Sequence, residues 1–354
     1  MNRNILILSF LITSLFAFGT APKYSNDFLN IGVSARGIAM GGASISSVTD
    51  YSSGYYNPAS LLRIEKSFDA GIMHSNYYSG IAAYDYFGIA NKLDSSHAIG
   101  FSAIRLGIDN IQNTLNLFDA SGNIDYNRIE YFSAADYAFI FSYAQKSPLP
   151  NLNLGANFKI IRRIIGDFAN AWGFGLDAGA TYRLGKWNFA AVGKDITGTF
   201  NAWSFNTDKL KNTYEATGNE MPTNSVEITI PRLILGVSRG FSINKYYYLT
   251  SEINLVSFLD GKRNSLLRSQ LLSIDPLAAI EFDYRKIVFL RGGVSNIQRT
   301  TDFDKTNFTI QPNLGIGLHL WNFRIDYALA NVGEQSVAPY SHIFSLGYMF
   351  DLKK

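Results

Sequence analysis

The 354-residue chain contains no cysteine. That absence excludes disulfides, thiolate metal sites and a lipid-modified N-terminal cysteine. Charge is also scarce: Asp, Glu, Lys and Arg together make 17% of the residues, against about 25% in a typical soluble domain. The net charge is only +3 and the basic residues are scattered, which argues against nucleic acid as a partner. After the first residues no apolar run approaches the ~20 residues of a membrane-spanning helix. What remains abundant is aromatic and small: 26 Phe, 21 Tyr and 30 Gly. That mixture suits strands joined by tight turns.

The opening residues read as a targeting segment. Arg3 precedes an apolar run over 5–18, and Ala17-Phe18-Gly19 offers a small-x-small cleavage site before Thr20. We therefore expect 1–19 to be a Sec-type signal peptide and the mature protein to leave the cytoplasm.

From residue 67 onward apolar and small or polar residues alternate, which is the period of a strand. In 172–184 one parity reads Trp172, Phe174, Leu176, Ala178, Ala180, Tyr182 and Leu184; the other carries Gly173, Gly175, Asp177, Gly179, Thr181 and Arg183. A soluble sandwich and an outer-membrane barrel both alternate this way. The polar parity separates them. It is built of Gly, Ser, Asn and Thr with isolated charges, Lys159, Asp177, Arg183, Glu252, Glu281, Asp283, Arg291, Arg324 and Asp326, rather than the dense Lys and Glu of a solvated face. The apolar parities of these segments carry no charge, as expected where an outward Arg or Lys at mid-bilayer costs about 2–4 kcal/mol. Trp172, Tyr182, Trp187, Tyr327 and Tyr348 fall near segment ends, where interfacial girdles sit. The reading is all-β: a single transmembrane antiparallel β-barrel of about fourteen strands, its termini periplasmic, in a bacterial outer membrane.

Link lengths agree. The short links are 91–96, 146–151, 185–186, 241–245, 285–286 and 321–322; the longer ones are 109–131, 165–170, 199–230, 258–276, 295–307 and 331–341. Short turns at one end and longer loops at the other are the rule for such barrels, and the exception here is the first hairpin near Ser79-Gly80, whose outer loop is short. A barrel this wide is not filled by its own side chains. The one spare stretch, 20–66, is therefore expected to be an N-terminal plug or hatch in the lumen, with 67–354 as the barrel.

That stretch is glycine-rich, yet Gly41-Gly42 is followed by Ala43-Ser44 instead of the Lys and Ser or Thr of a phosphate loop, and Asn57-Pro58 breaks any helix. Gly236-Val237-Ser238-Arg239-Gly240 matches a nucleophile pattern but lacks the strand-to-helix context. His74, His97, His319 and His342 are far apart and read as lumen or rim positions rather than metal ligands. Asp119, Asn123 and Asp125 miss the glycine of a calcium loop. No enzyme and no cofactor is expected. Arg36 is a candidate anchor for the plug through a lumen acid such as Glu281, Asp283 or Asp326. The link 199–230, with Phe200, Trp203, Phe205 and Tyr214, is a candidate partner loop because exposed aromatics mark interaction sites.

With these residues placed, the segment Phe28-Leu29-Asn30-Ile31-Gly32-Val33-Ser34-Ala35-Arg36-Gly37-Ile38-Ala39-Met40-Gly41-Gly42-Ala43, then Asp50 and Tyr56-Asn57-Pro58-Ala59, resembles the N-terminal motif of the PorV/PorQ family. Glu281-Phe282-Asp283-Tyr284, Phe289-Leu290-Arg291-Gly292-Gly293 and Ile325-Asp326-Tyr327-Ala328 extend the resemblance over the mature chain, closest to the PorV side. It implies a Bacteroidetes-type bacterial source and a barrel related to the FadL channel. It also implies a non-catalytic accessory of type IX secretion that binds a large translocon barrel, secreted cargo with C-terminal sorting domains, or both. The alternative is a FadL-type outer-membrane channel for hydrophobic small molecules, and a structural or adhesive surface barrel is a third possibility.

Overall fold

The structure is a computed structural model and describes residues 25–352 except 78–79, 119–120, 260, 262, 270–271, 303–304 and 331–339. The signal-peptide expectation lies outside these residues. The wall strands are β1 (Phe68–Tyr77), β2 (Ala82–Lys92), β3 (His97–Asn113), β4 (Glu130–Lys146), β5 (Leu152–Ile165) and β6 (Ala169–Leu184). They continue as β7 (Trp187–Lys194, then Thr199–Phe205), β8 (Ser225–Thr229, then Arg232–Ser242), β9 (Tyr247–Phe258) and β10 (Ser273–Tyr284). The last four are β11 (Val288–Asp302), β12 (Lys305–Leu320), β13 (Phe323–Ala330) and β14 (Ser341–Phe350). A two-residue strand, Leu267–Arg268, hangs on the edge of β10. Every neighbour is antiparallel, and β1 pairs with β14 from Phe68↔Phe350 to Asn76↔His342. The fourteen-stranded sheet is thereby closed into a barrel. At the seam Lys66 Nζ bonds Asp351 at 2.8 Å, and this hydrogen bond holds the Asp351 carboxyl below the usual carboxylate range.

Alternation decides which side chain faces which way. Trp172, Phe174 and Leu176 are exposed on the outer surface, whereas Asp177, Gly179 and Thr181 are inward and buried. Trp187, Phe241, Tyr247, Tyr284 and Phe323 ring the short-turn end, and Arg239 lies 4.8 Å over both Trp187 and Phe241. This is the aromatic girdle of a bilayer-spanning wall. Outside the segments read above, Asp85 and Arg105 share the outward parity with Phe87 and Ala103, so the outer face as a whole carries charge. His74 also points outward, beside Ile72, instead of into the lumen.

Two links differ from the sequence reading. The link 199–230 contributes to the wall: Thr199–Phe205 pairs with β6 over 169–174, and Ser225–Thr229 pairs with Thr199–Phe205. What projects is helix α3 (Thr207–Thr217), capped by Asn206 and closed by Gly218 at φ +67. The wall is broken between the parts of β7 by Asp195 at φ +56, and between those of β8 at Ile230-Pro231, where proline has no N–H to give the ladder. The link 295–307 is mostly strand, because β11 runs to Asp302 and β12 starts at Lys305. Both were hidden because Ser295, Asn296, Gln298 and Asn307 leave no apolar parity to read once the strands pass beyond the apolar band.

Residues 25–64 lie inside the barrel as short turns and two short helices, α1 (Ala35–Ala39) and α2 (Ser53–Tyr56), followed by a 3-10 turn, Pro58–Arg63. Backbone meets backbone there. A Cβ on Gly293 of β11 would run into the Met40 carbonyl carbon and the Gly41 amide, and Gly41 itself sits at φ +60. Glycine at 293 is thus required by close approach, and at 41 by backbone sign as well. Gly293→Leu is expected to leave the barrel folded, judged by heat-modifiable gel mobility, while exposing residues 25–64 to protease. Protection equal to wild type would show that the contact does not hold the segment.

Candidate functional site: the barrel lumen

Ser34, at φ +59, starts α1 by accepting a 3.1 Å bond from the Gly37 amide, and the Ala35 amide donates to Ser345 Oγ of β14 at 2.7 Å. This orients Arg36 toward β10, where Nε and Nη2 reach Glu281 at 2.9 and 3.0 Å in a bidentate pair. Glu281 also takes Arg291 Nε at 2.6 Å, and Arg291 Nη1 reaches Asp326 at 2.6 Å. Arg36, Glu281, Arg291 and Asp326 form one alternating chain of charge from the segment through three wall strands. Among the three acids considered for Arg36, Glu281 is the partner. Asp283 instead accepts the Lys286 amide at 3.1 Å in the short turn.

The other motif residues tie the segment to itself and to the wall. Asp50 accepts from the Ser52 amide at 2.8 Å; Asn57 donates to the Ile45 and Ala180 carbonyls at 3.1 and 3.2 Å and accepts from the Ala59 amide at 3.1 Å. Pro58 opens the 3-10 turn, where its missing N–H costs nothing. Met40 and Gly42 sit against β10, packed on Ala279 and Leu277. Glu252 accepts from the Ser46 amide at 2.8 Å. Arg324 pairs with Asp69 of β1. Lys159 bridges Asp177 at 2.7 Å and Asp195, with Lys194 Nζ 3.7 Å from Asp177 and bonded to the Tyr55 carbonyl. Arg183 stands apart, exposed at the short-turn end with the Gly185 carbonyl.

Three participants went unnoticed in the sequence: Asp69, Lys194 and Asp195. Asp69 shares the inward parity with Gly71 and Met73 and could have been found by that rule. Asp195 could not, because it sits in the break of β7 where parity stops. Of the candidate partner loop, Phe200 is exposed on the outer wall, while Trp203 is buried with Arg163 5.0 Å over its ring and Phe205 beside it. Only Tyr214, on α3, lies in the projecting part. Ser238 is inward on β8, 3.4 Å from Asn188, within an uninterrupted strand segment. Among the described residues no three acids, histidines or cysteines gather to hold a metal; Asp119 lies outside them.

Above the segment, toward the long-loop end, is a cavity of about 620 Å³. Its floor is the segment itself, with Leu29, Ile31, Ile38 and Ile45; its walls include Leu106, Ile234, Val256 and Leu277. Lys194, Arg232, Arg263, Asp27 and Asp275 add charge around this apolar lining. Lys194 and Arg232 also flank the breaks in β7 and β8.

This geometry has counterparts among solved structures. The fold is that of a FadL-like barrel. The chain is similar to the CymD monoaromatic hydrocarbon channel at 13% identity and TM-score 0.54, over 91% of this chain and 98% of that one. A Pseudomonas aeruginosa FadL homologue matches at 12% identity and TM-score 0.53, over 90% and 98%. The Pseudomonas putida toluene transporter TodX matches at 14% identity and TM-score 0.52, over 91% and 99%. No protein-family model matches the chain and no curated protein matches it by sequence.

Breaking one side of a lone buried ion pair costs about 3 kcal/mol or more; loss of Arg36 leaves Glu281 held by Arg291 and so costs less than that, yet more than the loss of an exposed charge, worth about 0–1 kcal/mol. Arg36→Ala is therefore expected to raise protease sensitivity of the N-terminal segment and leakage through the detergent-extracted, reconstituted barrel. Arg183→Ala is expected to change neither. Protease resistance and conductance unchanged in Arg36→Ala would remove the anchoring role.

Proposed function

We propose that the chain is a non-enzymatic outer-membrane channel for hydrophobic small molecules, with residues 25–64 acting as its plug. The observation that carries this reading is the apolar cavity of about 620 Å³, within the size of a ligand site. It opens toward the long-loop end and is floored by the plug. Apolar surface moved from water into such a site gains about 25 cal/mol per Å², so the cavity would gather hydrophobic solutes. The similarity of the fold to CymD, a monoaromatic hydrocarbon channel, and TodX, a toluene transporter, supports the substrate class. Onward passage requires the plug to shift or the breaks in β7 and β8 to admit the solute sideways.

A second reading is the type IX secretion accessory, binding a large translocon barrel and cargo sorting domains. The N-terminal motif favours it, and so does a lumen filled and tied down by ion pairs, which suits a barrel that need not conduct. A deletion strain separates the two. Loss of toluene or other hydrocarbon uptake with normal secretion of sorting-domain proteins is the outcome expected here. Normal uptake with failed secretion would overturn the channel in favour of the accessory.

The absence of native cysteine gives a direct test of plug movement. Ala35→Cys with Ser345→Cys puts one thiol on the residue whose backbone amide bonds Ser345 Oγ at 2.7 Å and the other in place of that hydroxyl. Oxidation is expected to cut solute flux about tenfold, with recovery on reduction. Full flux in the oxidised form would assign passage to the wall breaks instead.

A further inference from the structure

One strip of the outward face departs from the apolar rule on several neighbouring strands. Phe344, His74, Asp85, Arg105 and Tyr137 are register partners across five consecutive strands, β14, β1, β2, β3 and β4. His74 Nδ1 lies 2.7 Å from Asp85; Arg105 lies 3.5 Å from Asp85 and 3.6 Å from Asp109, and Tyr137 is its register partner on the next strand. Arg162 is next in the row, bonded to Asn170 at 2.7 Å and stacked 4.8 Å over Trp172.

Two residues nearer the short-turn end, roughly 6.6 Å along the strands, the same five strands present Leu346, Ile72, Phe87, Ala103 and Phe139. Ala103 is the small member, set between Phe87 and Phe139. The surface sinks there into an external groove of about 580 Å³. A polar row thus stands directly above an apolar trough, with the polar side toward the long loops.

A bare interfacial belt does not account for this strip. A lipid-facing charge is far more costly at mid-bilayer than near the interface. His74 sits three residues from the end of β1, so the row lies toward the interface, where a polar headgroup can reach it. Arg105 meets its acids only at 3.5 and 3.6 Å, and a guanidinium with five N–H donors keeps capacity for another acceptor. Asp85 and Asp109 would repel a simple anion, but they accept hydroxyls. Donors and acceptors side by side over an aliphatic trough match a hydroxyl-rich, phosphate-bearing head with an acyl chain. A protein partner would need an extended complementary face, about 600 Å² or more from each side, which a groove of this size does not supply.

We propose that this strip docks one acylated, phosphorylated sugar lipid of the lipid A type. Its phosphate lies on Arg105, its sugar hydroxyls on His74, Asp85 and Arg162, and one acyl chain in the groove over Ala103. The inference rests on the outer-membrane reading with the long loops facing out. It is independent of whether the lumen conducts.

The test is native mass spectrometry of the full barrel in mild detergent, titrated with lipid A, dephosphorylated lipid A or phosphatidylglycerol. One lipid A per barrel is expected, held about tenfold more tightly than either comparison lipid. Arg105→Gln is expected to lose that preference. Ala103→Phe, which fills the groove without touching charge, is expected to weaken all three; Arg239→Gln at the other end is expected to change nothing. Heat-modifiable mobility verifies folding of each variant. Equal retention of the three lipids by wild type would mean ordinary annular lipid and overturn the proposal. So would unchanged lipid A affinity in Arg105→Gln and Ala103→Phe, including the case where Arg105→Gln instead loses a co-purifying protein. Uptake assays on the same variants keep the two readings apart, since lipid retention can stand while transport fails.

Discussion

In hydrocarbon an unpaired backbone N–H or C=O costs several kcal/mol, so a sheet that spans a membrane must close on itself. The β1–β14 seam, from Phe68↔Phe350 to Asn76↔His342, meets that demand. Closure at fourteen strands creates a second demand, because the lumen exceeds what inward side chains can fill. The wall answers with small inward residues and the chain with its own N-terminal stretch. Gly155 against Ala59 and Gly293 against Met40 are one solution repeated on β5 and β11. Side chains removed from the wall make room for backbone brought in from elsewhere.

How much of this was legible depended on whether two environments imposed opposite demands on neighbouring residues. Where lipid faces one parity and a packed lumen the other, as in 172–184, alternation is forced and the strand can be read. In 295–302, Ser295, Asn296, Gln298 and Arg299 leave neither parity apolar, and the pattern vanishes although the ladder continues. The split strands were hidden for another reason. Asp195 and Pro231 interrupt the period, and a broken period looks the same as a loop. Thr199–Phe205 and Ser225–Thr229 were therefore assigned to a loop that is partly wall.

The lumen was legible as a set of charges but not as a set of pairs. Inward parity identified Glu281, Arg291, Arg324 and Asp326, yet parity carries no information on which strand stands beside which luminal turn. Arg36 had three candidate acids in sequence; the register Glu281↔Arg291 and the start of α1 at Ser34 select one of them. Arg183 obeyed the parity rule and still fell outside the network, because its strand has by then reached the short-turn rim. Asp85 and Arg105 failed the rule. They face lipid in register with each other, which lets each offset the other's desolvation in a way that an isolated outward charge cannot.

The luminal chain of Arg36, Glu281, Arg291 and Asp326 bears on whether the interior can open. An alternating row of four charges holds little net field, so withdrawing Arg36 leaves Glu281 still engaged by Arg291 at 2.6 Å instead of stranded. The cost of releasing the segment is then lower than for a lone buried pair, because only one partner, the departing arginine, needs to find water. The cavity above offers space for that rearrangement without dismantling the wall. The seam, the glycine contacts and the ion chain therefore need not share one fate: the first is fixed by the bilayer, while the other two hold the segment by contacts that a single displacement can exchange.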